Sequence, residues 1–331
     1  MIKIAMFDTK KYDKELFEEY NKEYKYDITY YKEKLDSKTA TLANGYDVVC
    51  LFVNDTVDQE TINILKQDGV KLIALRCEGF NNVDLVDIPN DIRVVRVQKY
   101  SPYAIAEHAT ALLLCLDRKI NKASERTKNY NFDLTGLMGF DIHGKTVGII
   151  GTGKIGKIFA QIMKGFGANV IAYDIYHDDE AAKQIGFEYS DLEGVLKNSD
   201  IISLHCPLTK ENSKMISEEN MSKMKDGVIL INTSRGALVD AKSLIKMLTS
   251  GKIGAAALDV YENEKDFFFN DMSNLCVRDE ILSTLLSMPN VIVTSHQAYF
   301  TKEALNNITI TTLKNIKDIF ETGSCENEIK K

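Results

Sequence analysis

One stretch, 146–174, constrains the fold more than any other part of the chain. Thr146–Ile150 is a short apolar run rich in β-branched residues, which predicts a buried strand. The sequence GTGKIG follows at once, and apolar residues then recur every three or four positions, as in a helix that packs on a sheet. Val170–Tyr173 predicts a second strand, and Asp174 follows it. The stretch is therefore expected to form one βαβ unit.

Each part of this βαβ unit suits the binding of a dinucleotide. Gly151 permits a tight turn, Gly153 lets the backbone approach a pyrophosphate, and Gly156 lets the helix pack closely on the strand. The helix N-terminus favours the phosphate charge. Asp174 can accept hydrogen bonds from the ribose hydroxyls and would repel a 2′-phosphate, so NAD is expected rather than NADP. The other cofactor-lining residues expected from this unit are Lys154, Ile155 and Tyr173.

Composition narrows the class of protein. The chain has 331 residues, enough for two domains with their own cores. The net charge of −7 argues against a nucleic-acid or anionic-membrane partner. No apolar run approaches the roughly 20 residues of a membrane-spanning helix, and the charged start MIKIAMFDTKKYDKE does not suit a signal peptide. We therefore expect a cytoplasmic protein that acts on a small molecule.

The cysteines support the same compartment. They are scattered, without a C-x-x-C pair, and most lie in or beside apolar runs. We expect small core residues in a reducing cytosol and no metal site. The six are Cys50, Cys77, Cys115, Cys206, Cys276 and Cys325.

Alternating strands and helices predict an α/β fold with two Rossmann-like domains, each built on a parallel sheet. The cofactor domain, 101–298, is expected to be inserted into a substrate domain made of 1–100 and 299–331. The helix that begins at Ser101-Pro102 opens the cofactor domain, and a terminal helix, Lys302–Glu321, returns to the substrate domain. The charged tail after Gly323 is expected to fray. Strands are expected at Ile2–Phe7, Asp47–Val53, Lys71–Arg76, Ile92–Val97, Asp200–Cys206, Gly227–Asn232, Ala255–Val260 and Val291–Ser295.

Three residues beyond the cofactor unit stand after predicted strands, where open α/β sheets bind ligands: Arg235, Glu264 and His296. Together they could serve hydride transfer to a 2-keto acid. The arginine fork can clamp a carboxylate, a histidine can supply a proton, and a carboxylate can hold the imidazole and stabilise its charged form. Each residue taken alone also has a non-catalytic explanation. His296 could be a structural histidine, and Arg235 and Glu264 could form a surface ion pair.

Longer motifs around these residues resemble the NAD-dependent D-2-hydroxyacid dehydrogenases. They are GTGKIG, DIISLHCPLT, MKDGVILINTSRGALVD, GAAALDVYENE and VIVTSHQAYFT. Three others, RCEGFNNVD, YSPYAIAEH and NYNFDLTGLMGFDIHGKT, are typical of the branch that holds the bacterial fermentative D-lactate dehydrogenases. The resemblance covers nearly the whole chain. It implies reversible NADH-dependent reduction of pyruvate to D-lactate, and a homodimer or dimer of dimers built on the cofactor domain and the arm 129–144.

The resemblance also implies roles for individual residues. Arg235 would bind the substrate carboxylate and carbonyl, His296 would act as acid and base, and Glu264 would orient it. Asp259 would support the site on the nicotinamide side, and backbone N–H groups of 77–79 would grip the substrate carboxylate. Further cofactor contacts are implied at His205, Cys206, Pro207, Thr233, Ser234, Arg235, Asp259 and His296. Substrate contacts are implied at Phe52, Cys77, Glu78, Gly79, Tyr100, Arg235, His296 and Tyr299.

The sequence departs from this branch at the expected pocket. Glu78 stands where the branch has a small apolar residue, and Gln98-Lys99 replaces Pro-Ala. A carboxylate beside a keto acid would cost affinity through like-charge repulsion. Either the Glu78 side chain points to solvent, or Glu78 and Lys99 shift the preference away from pyruvate.

Other functions stay open at this point. The substrate could be a bulkier 2-keto acid, such as 2-ketoisocaproate or phenylpyruvate, or the chain could be an NAD-sensing binding protein without enzymatic activity. Formate dehydrogenases are also similar, but a Glu264–His296 pair suits hydroxyacid chemistry better. The P-loop-like sequence GFDIHGKT follows a loop and opens a strand, so no phosphate site is expected there. The remaining isolated histidines are expected to be structural or solvated: His108, His143 and His177.

Overall fold

A computed structural model describes residues 1–86 and 88–330 of the chain. It divides into two compact domains, one made of Met1–Ser101 with Phe300–Lys331 and the other of Pro102–Tyr299. Each domain is built on its own sheet, and all described strand pairs in both sheets are parallel. The expected fold class, two parallel-sheet α/β domains, is confirmed.

The first domain has a five-stranded sheet in the order β2-β1-β3-β4-β5. Its strands are β1 (Lys3–Met6), β2 (Asp27–Tyr30), β3 (Val48–Leu51), β4 (Leu72–Leu75) and β5 (Arg93–Val95). Its helices are α1 (Lys11–Tyr24), α2 (Gln59–Gln67) and the C-terminal α11 (Lys302–Thr322). Strands β3 and β4 are buried along their whole length, which explains why they consist of unbroken apolar runs. Leu313, Ile316 and Ile319 of α11 join the core of this sheet.

The second domain has a seven-stranded sheet in the order β12-β11-β10-β9-β6-β7-β8. Its strands are β6 (Thr146–Ile150), β7 (Asn169–Tyr173), β8 (Glu188–Tyr189), β9 (Ile201–Leu204), β10 (Val228–Asn232), β11 (Ile253–Leu258) and β12 (Val291–Val293). Its helices are α3 (Pro102–Asp117), α4 (Ile120–Lys128), α5 (Lys154–Gly165), α6 (Asp179–Ile185), α7 (Leu192–Asn198), α8 (Glu218–Lys223), α9 (Ala241–Thr249) and α10 (Glu280–Ser287). Cores on the two faces of the sheet hold it between layers of helices.

The strand order creates a crevice at the carboxyl edge of the sheet. From β6 the chain moves to β7 on one side and later returns to β9 on the other. Ligands bind at such a reversal of strand order in open α/β sheets. The glycine turn of the βαβ unit begins directly after β6, so it lies at this reversal.

The tail after Gly323 corrects one expectation. It does not fray, because its backbone pairs antiparallel with β5 at Val95 and Glu328, and Ile329 N–H donates to the Val94 carbonyl at 2.9 Å. The carboxylate of Glu328 also receives the Arg93 guanidinium. The last residue, Lys331, lies outside the described part of the chain.

Candidate active site

The carboxyl edge of the seven-stranded sheet carries the residues that the sequence singles out in this domain. Gly151 follows β6, Asp174 follows β7, and His205 follows β9. Strands β10, β11 and β12 are followed by Arg235, Glu264 and His296. Because parallel strands all end at the same edge, the glycine turn and these three residues share one face of the domain.

The glycine turn has the shape that a pyrophosphate requires. Gly151 adopts φ +100°, and a Cβ there would lie 2.5 Å from the backbone nitrogen of Cys206. A Cβ on Gly156 would collide with the Gly151 carbonyl oxygen, so the first and third glycines are required by contacts within the protein. Around Gly153 the space is open, and no side chain caps the N-terminus of α5 there. Unpaired N–H groups of a helix beside an open glycine can receive phosphate oxygens.

Asp174 secures this turn from the end of β7. Its Oδ2 accepts the Thr152 N–H at 2.6 Å and lies 3.1 Å from the Thr152 hydroxyl, and its Oδ1 accepts the Tyr176 N–H at 3.0 Å. A carboxylate has about four acceptor positions, so capacity remains for a ribose hydroxyl. The side chain is half-buried, which leaves it accessible at the edge of the sheet. Tyr173, at the end of β7, accepts the Gly151 N–H with its carbonyl at 2.8 Å.

The turn after β9 forms the opposite wall of the glycine turn. Burial lowers the pKa of His205 to about 3, so its imidazole is neutral at pH 7 and lies 2.9 Å from the Ser203 hydroxyl. Burial also raises the pKa of the Cys206 thiol to about 11, so the thiol stays protonated. The Cys206 carbonyl accepts the Ser234 hydroxyl at 2.5 Å, which ties this turn to the end of β10. Pro207 accepts a hydrogen bond with its carbonyl from Asn212.

The turn after β10 presents Arg235. Asn232 fixes the turn, because its amide donates to the Arg235 carbonyl at 2.9 Å and its Oδ1 accepts the Ser234 N–H at 3.0 Å. A Cβ on Gly236 would collide with the backbone of Tyr261, so only glycine lets this turn pack against the segment that leads to Glu264. The Thr233 hydroxyl is buried and has no hydrogen-bond partner in the described part of the chain. The half-buried Arg235 guanidinium donates to the Ser234 carbonyl at 2.8 Å.

Glu264 and His296 form a hydrogen-bonded pair. Glu264 Oε1 lies 2.7 Å from His296 Nδ1, and Glu264 Oε2 accepts the Tyr261 N–H at 2.9 Å. The Phe269 ring lies 6.2 Å from the imidazole, centre to centre. Both members of the pair are about one-fifth exposed, so the carboxylate orients the ring without sealing it from solvent. With Nδ1 engaged, Nε2 is the ring nitrogen that can exchange a proton with a substrate.

A buried aspartate supports the turn that carries this histidine. Asp259 is fully buried, and its carbonyl accepts the His296 N–H at 2.7 Å. His108 lies 3.4 Å from its carboxylate. The sequence predicts a structural or solvated His108 and indicates no partner for it, and the structure places it beside Asp259. Sequence reasoning missed this contact because the two residues stand far apart in the chain.

The residues expected to contact substrate from the first domain lie in its own loops. Phe52 follows β3, is buried, and has the Arg76 guanidinium 5.0 Å from its ring centre. Cys77 and Gly79 belong to the loop after β4, where the Cys77 thiol lies 3.2 Å from the Gly79 carbonyl. Tyr100 accepts a hydrogen bond with its carbonyl from Asn307 at 2.7 Å. In the second domain Tyr299 is buried.

Glu78 and Lys99 are the two departures from the branch pattern, and both are exposed. The Glu78 backbone carbonyl accepts a hydrogen bond from the Arg96 guanidinium at 3.0 Å. Exposure of Glu78 is compatible with the alternative in which its carboxylate points to solvent.

The described residues, 1–86 and 88–330, offer neither a metal site nor a membrane-spanning helix. No group of three or more His, Cys, Asp or Glu residues there could hold a metal ion. None of the helices in those residues is both long and apolar enough to cross a membrane.

Comparison with known proteins gives consistent matches. Residues 110–298 match the family model described as "D-isomer specific 2-hydroxyacid dehydrogenase, NAD binding domain". The chain is 49% identical over 319 residues to a 2-hydroxyacid dehydrogenase homolog from Schizosaccharomyces pombe, covering 96% of each chain. It is 46% identical over 330 residues to the D-lactate dehydrogenase of Escherichia coli, covering 99% of this chain and 100% of the other.

A solved structure extends this likeness to three dimensions. The apo-structure of the Escherichia coli D-lactate dehydrogenase matches with a TM-score of 0.91 and 44% identity, over 99% of this chain and 100% of that one. The family model accounts for more than half of this chain, and the relatives match over nearly all of it. The chain therefore belongs to the D-isomer specific 2-hydroxyacid dehydrogenases, which are NAD-dependent oxidoreductases.

Proposed function

We propose that this enzyme is a D-lactate dehydrogenase, which reversibly reduces pyruvate to D-lactate with NADH. The observation that carries the proposal is the Glu264–His296 pair, with its 2.7 Å contact, on the same sheet edge as the glycine turn. The similarity to the Escherichia coli D-lactate dehydrogenase supports pyruvate as the substrate. An NAD-sensing protein would have no need of an oriented histidine–carboxylate pair.

Each proposed catalytic residue has a role that suits its chemistry. Arg235 binds the substrate carboxylate and polarises the carbonyl, because its guanidinium offers several donors in one plane. His296 donates a proton to the carbonyl oxygen during reduction and accepts it back during oxidation. Glu264 holds the imidazole and stabilises its charged form. When bound, NADH supplies the hydride that the carbonyl carbon accepts.

The proposed cofactor contacts rest on the family resemblance, and the shape of the glycine turn supports those near the pyrophosphate. The open backbone at Gly153 and the first turn of α5, with Lys154 and Ile155, suit the pyrophosphate, and Asp174 suits the adenosine ribose. The turns with His205–Pro207 and Thr233–Ser234, together with Asp259, suit the nicotinamide half. In the first domain, Phe52, 77–79 and Tyr100 remain our proposed substrate contacts, with Tyr299 from the second domain.

The two directions of the reaction should depend oppositely on pH. Reduction requires protonated His296, so its rate falls as pH rises. Oxidation requires the neutral ring, so its rate rises with pH. Equal pH profiles for the two directions would contradict His296 as the proton carrier.

Substitution of the pair tests these roles. In His296→Asn the proton donor is lost, and kcat for pyruvate reduction should fall by about 10²- to 10⁴-fold while the Kd for NADH changes little. Glu264→Gln should lower kcat, because a neutral amide no longer stabilises the imidazolium. His143→Asn and Glu262→Gln are matched controls, since both side chains are exposed. An active His296→Asn variant would contradict the assignment.

A substrate panel separates pyruvate from bulkier 2-keto acids. NADH oxidation by the wild-type protein should be fastest with pyruvate, compared with 2-ketoisocaproate and phenylpyruvate, and NADPH should be a poor substitute. Glu78→Ala and Lys99→Ala should leave this order unchanged, because both side chains are exposed. A preference for a larger keto acid that Glu78→Ala reverses would contradict the proposal of pyruvate. Tight NADH binding without turnover of any keto acid would instead favour a sensor.

We also propose a homodimer, or a dimer of dimers, in the cytoplasm. The arm 129–144 carries large apolar side chains that are mostly exposed in the single chain, and such a patch is typical of an interface. They are Tyr130, Phe132, Leu134 and Met138. The free thiols of Cys50 and Cys77, both buried, suit a reducing compartment.

A further inference from the structure

The carboxylate of Asp259 organises the turn that bears His296. It accepts the Thr294 hydroxyl at 2.5 Å and the backbone N–H groups of Gln297 and Ala298, each at 2.9 Å. Burial alone would raise the pKa of Asp259, but hydrogen bonds from His108, Thr294 and the two N–H groups hold it below its usual range. The carboxylate is therefore ionised at neutral pH, and it accepts hydrogen bonds from both sides of His296.

The backbone of His296 needs this support. Its φ of +52° lies in the left-handed region, which costs a residue other than glycine about 1 kcal/mol or more. The His296 N–H donates to the Asp259 carbonyl at 2.7 Å, so Asp259 binds the turn through its main chain as well as its side chain. Any loosening of Asp259 or Thr294 would let the turn relax and would move the imidazole relative to Glu264.

His108 closes this cluster from helix α3. Its Nε2 lies 3.4 Å from Asp259 Oδ1 and 3.4 Å from Thr294 Oγ1. These two oxygens are hydrogen-bonded to each other, so His108 faces both of them. The His108 side chain is 17% exposed. Hydrogen bonds of this length in ligand-free enzymes often tighten when the substrate binds.

We propose that His108 is a positioning residue for the reaction, which acts through Asp259 and Thr294 to hold the 294–298 turn and its His296 imidazole in line with Glu264. The inference rests on the proposed function, because it requires His296 to be the acid and base. His108 contributes an N–H donor shared between a carboxylate and a hydroxyl. A side chain that offers an N–H at a similar reach should replace it, and an apolar side chain of similar size should not.

The test compares His108→Leu with His108→Gln. Since a displaced catalytic group can cost about 10- to 100-fold in rate, kcat for pyruvate reduction should fall by about tenfold or more in His108→Leu. The KM for NADH, the Kd for NADH and the melting temperature should change little. His108→Gln should keep kcat within about threefold of wild type, because its amide restores the donor. The kinetic isotope effect with NADH deuterated at the transferred position should rise in His108→Leu, as chemistry becomes rate-limiting.

The histidine-to-leucine change has a matched control in His143→Leu, which removes an exposed imidazole elsewhere in the same domain and should leave kcat unchanged. An unchanged kcat in His108→Leu, with an active wild-type enzyme, would overturn the positioning role alone. The same holds if kcat, NADH affinity and melting temperature all fall together and His108→Gln restores none of them, since that result means a purely structural residue. A wild-type protein that turns over no 2-keto acid, or an active His296→Asn variant, would overturn the proposed function as well.

Discussion

Asp55 in the first domain shows burial and hydrogen bonding acting against each other on one carboxylate. It is fully buried, and its two oxygens accept the N–H groups of Leu35 and Phe52, each at 2.6 Å. Burial outweighs the nearby Arg76 and these two donors, and it raises the pKa of Asp55 to about 6. Because Phe52 is one of the proposed substrate contacts, the same carboxylate fixes the backbone of a pocket residue.

This carboxylate gives the first domain a defined pH dependence. The folded state binds a proton at Asp55 more tightly than the unfolded chain does. The contribution of Asp55 to the free energy of unfolding is therefore complete below about pH 4 and is lost as pH rises through about 6. A shift of about two pKa units corresponds to a loss of about 3 kcal/mol in the free energy of unfolding. Urea unfolding followed by circular dichroism should show this loss between pH 4 and pH 7. Asp55→Asn should abolish it while costing about 1–3 kcal/mol throughout, since a single amide oxygen cannot satisfy both donors.

Asp58 provides the matched control for that measurement. It caps α2 by accepting the Thr61 N–H at 2.9 Å, a bond that lowers the pKa of Asp58. The stability that Asp58 contributes is therefore present above about pH 4 and is lost only in stronger acid. Asp58→Asn should still show the loss of stability between pH 4 and pH 7. An equal loss in Asp55→Asn and wild type would assign the pH dependence to another group.

Sequence reasoning pointed to the proposed catalytic residues but not to the residues that support them. Arg235, Glu264 and His296 could be predicted because each follows a strong apolar strand. His108 could not, because it lies in the apolar pattern of a helix and its contact with Thr294 spans 186 residues of sequence. Nothing local marks a side chain whose partner is brought near only by the fold.

Among secondary-structure elements, the tail on β5 is the least expected. Strand β5 stands at the edge of its sheet, and an open edge invites pairing with another chain. Backbone bonds from Arg96 N–H to the Asn327 carbonyl at 3.1 Å, and from Ile329 N–H to the Val94 carbonyl at 2.9 Å, cover that edge. The tail therefore protects this edge of the sheet.

A single proline tests this protection. Ile329→Pro removes the N–H that bonds Val94 and should lower the free energy of unfolding by about 1 kcal/mol. A protein that ends at Gly323 should lose more stability and aggregate faster on heating, measured by light scattering. The matched control is Lys330→Pro, one position further on. No difference between the Gly323-ended protein and wild type would mean that the tail is dispensable.

The elements that sequence patterns missed share one physical property. Strands β2 and β8 lie at sheet edges and are only partly buried, so their sequences lack the apolar runs that mark central strands. Helix α4 has no buried residue, so no apolar stripe reveals it. Fully buried strands such as β3, β4 and β9 could be predicted within a few residues, because burial on both faces demands continuous apolar sequence.

At the scale of the whole molecule, the arm 129–144 should decide the assembly. Phe132 is 71% exposed and Leu134 is 78% exposed in the single chain. Because charged side chains oppose apolar packing, the variant with Phe132→Asp and Leu134→Asp should elute as a smaller species than wild type in size exclusion with light scattering, with unchanged circular dichroism. A variant with Lys122→Asp and Lys128→Asp, on the exposed face of α4, is the control. A monomeric wild type, or a variant of unchanged mass, would contradict the proposed interface.

The left-handed backbone at His296 bears on how this chain could lose its chemistry in evolution. Asparagine and aspartate tolerate that conformation better than other residues with a side chain, and their codons differ from those of histidine by one base. A single point mutation to asparagine could therefore yield a well-folded protein with an intact glycine turn and no proton donor at this position. Such a product would still bind NAD, so the step from catalyst to cofactor receptor is genetically short in a protein built this way.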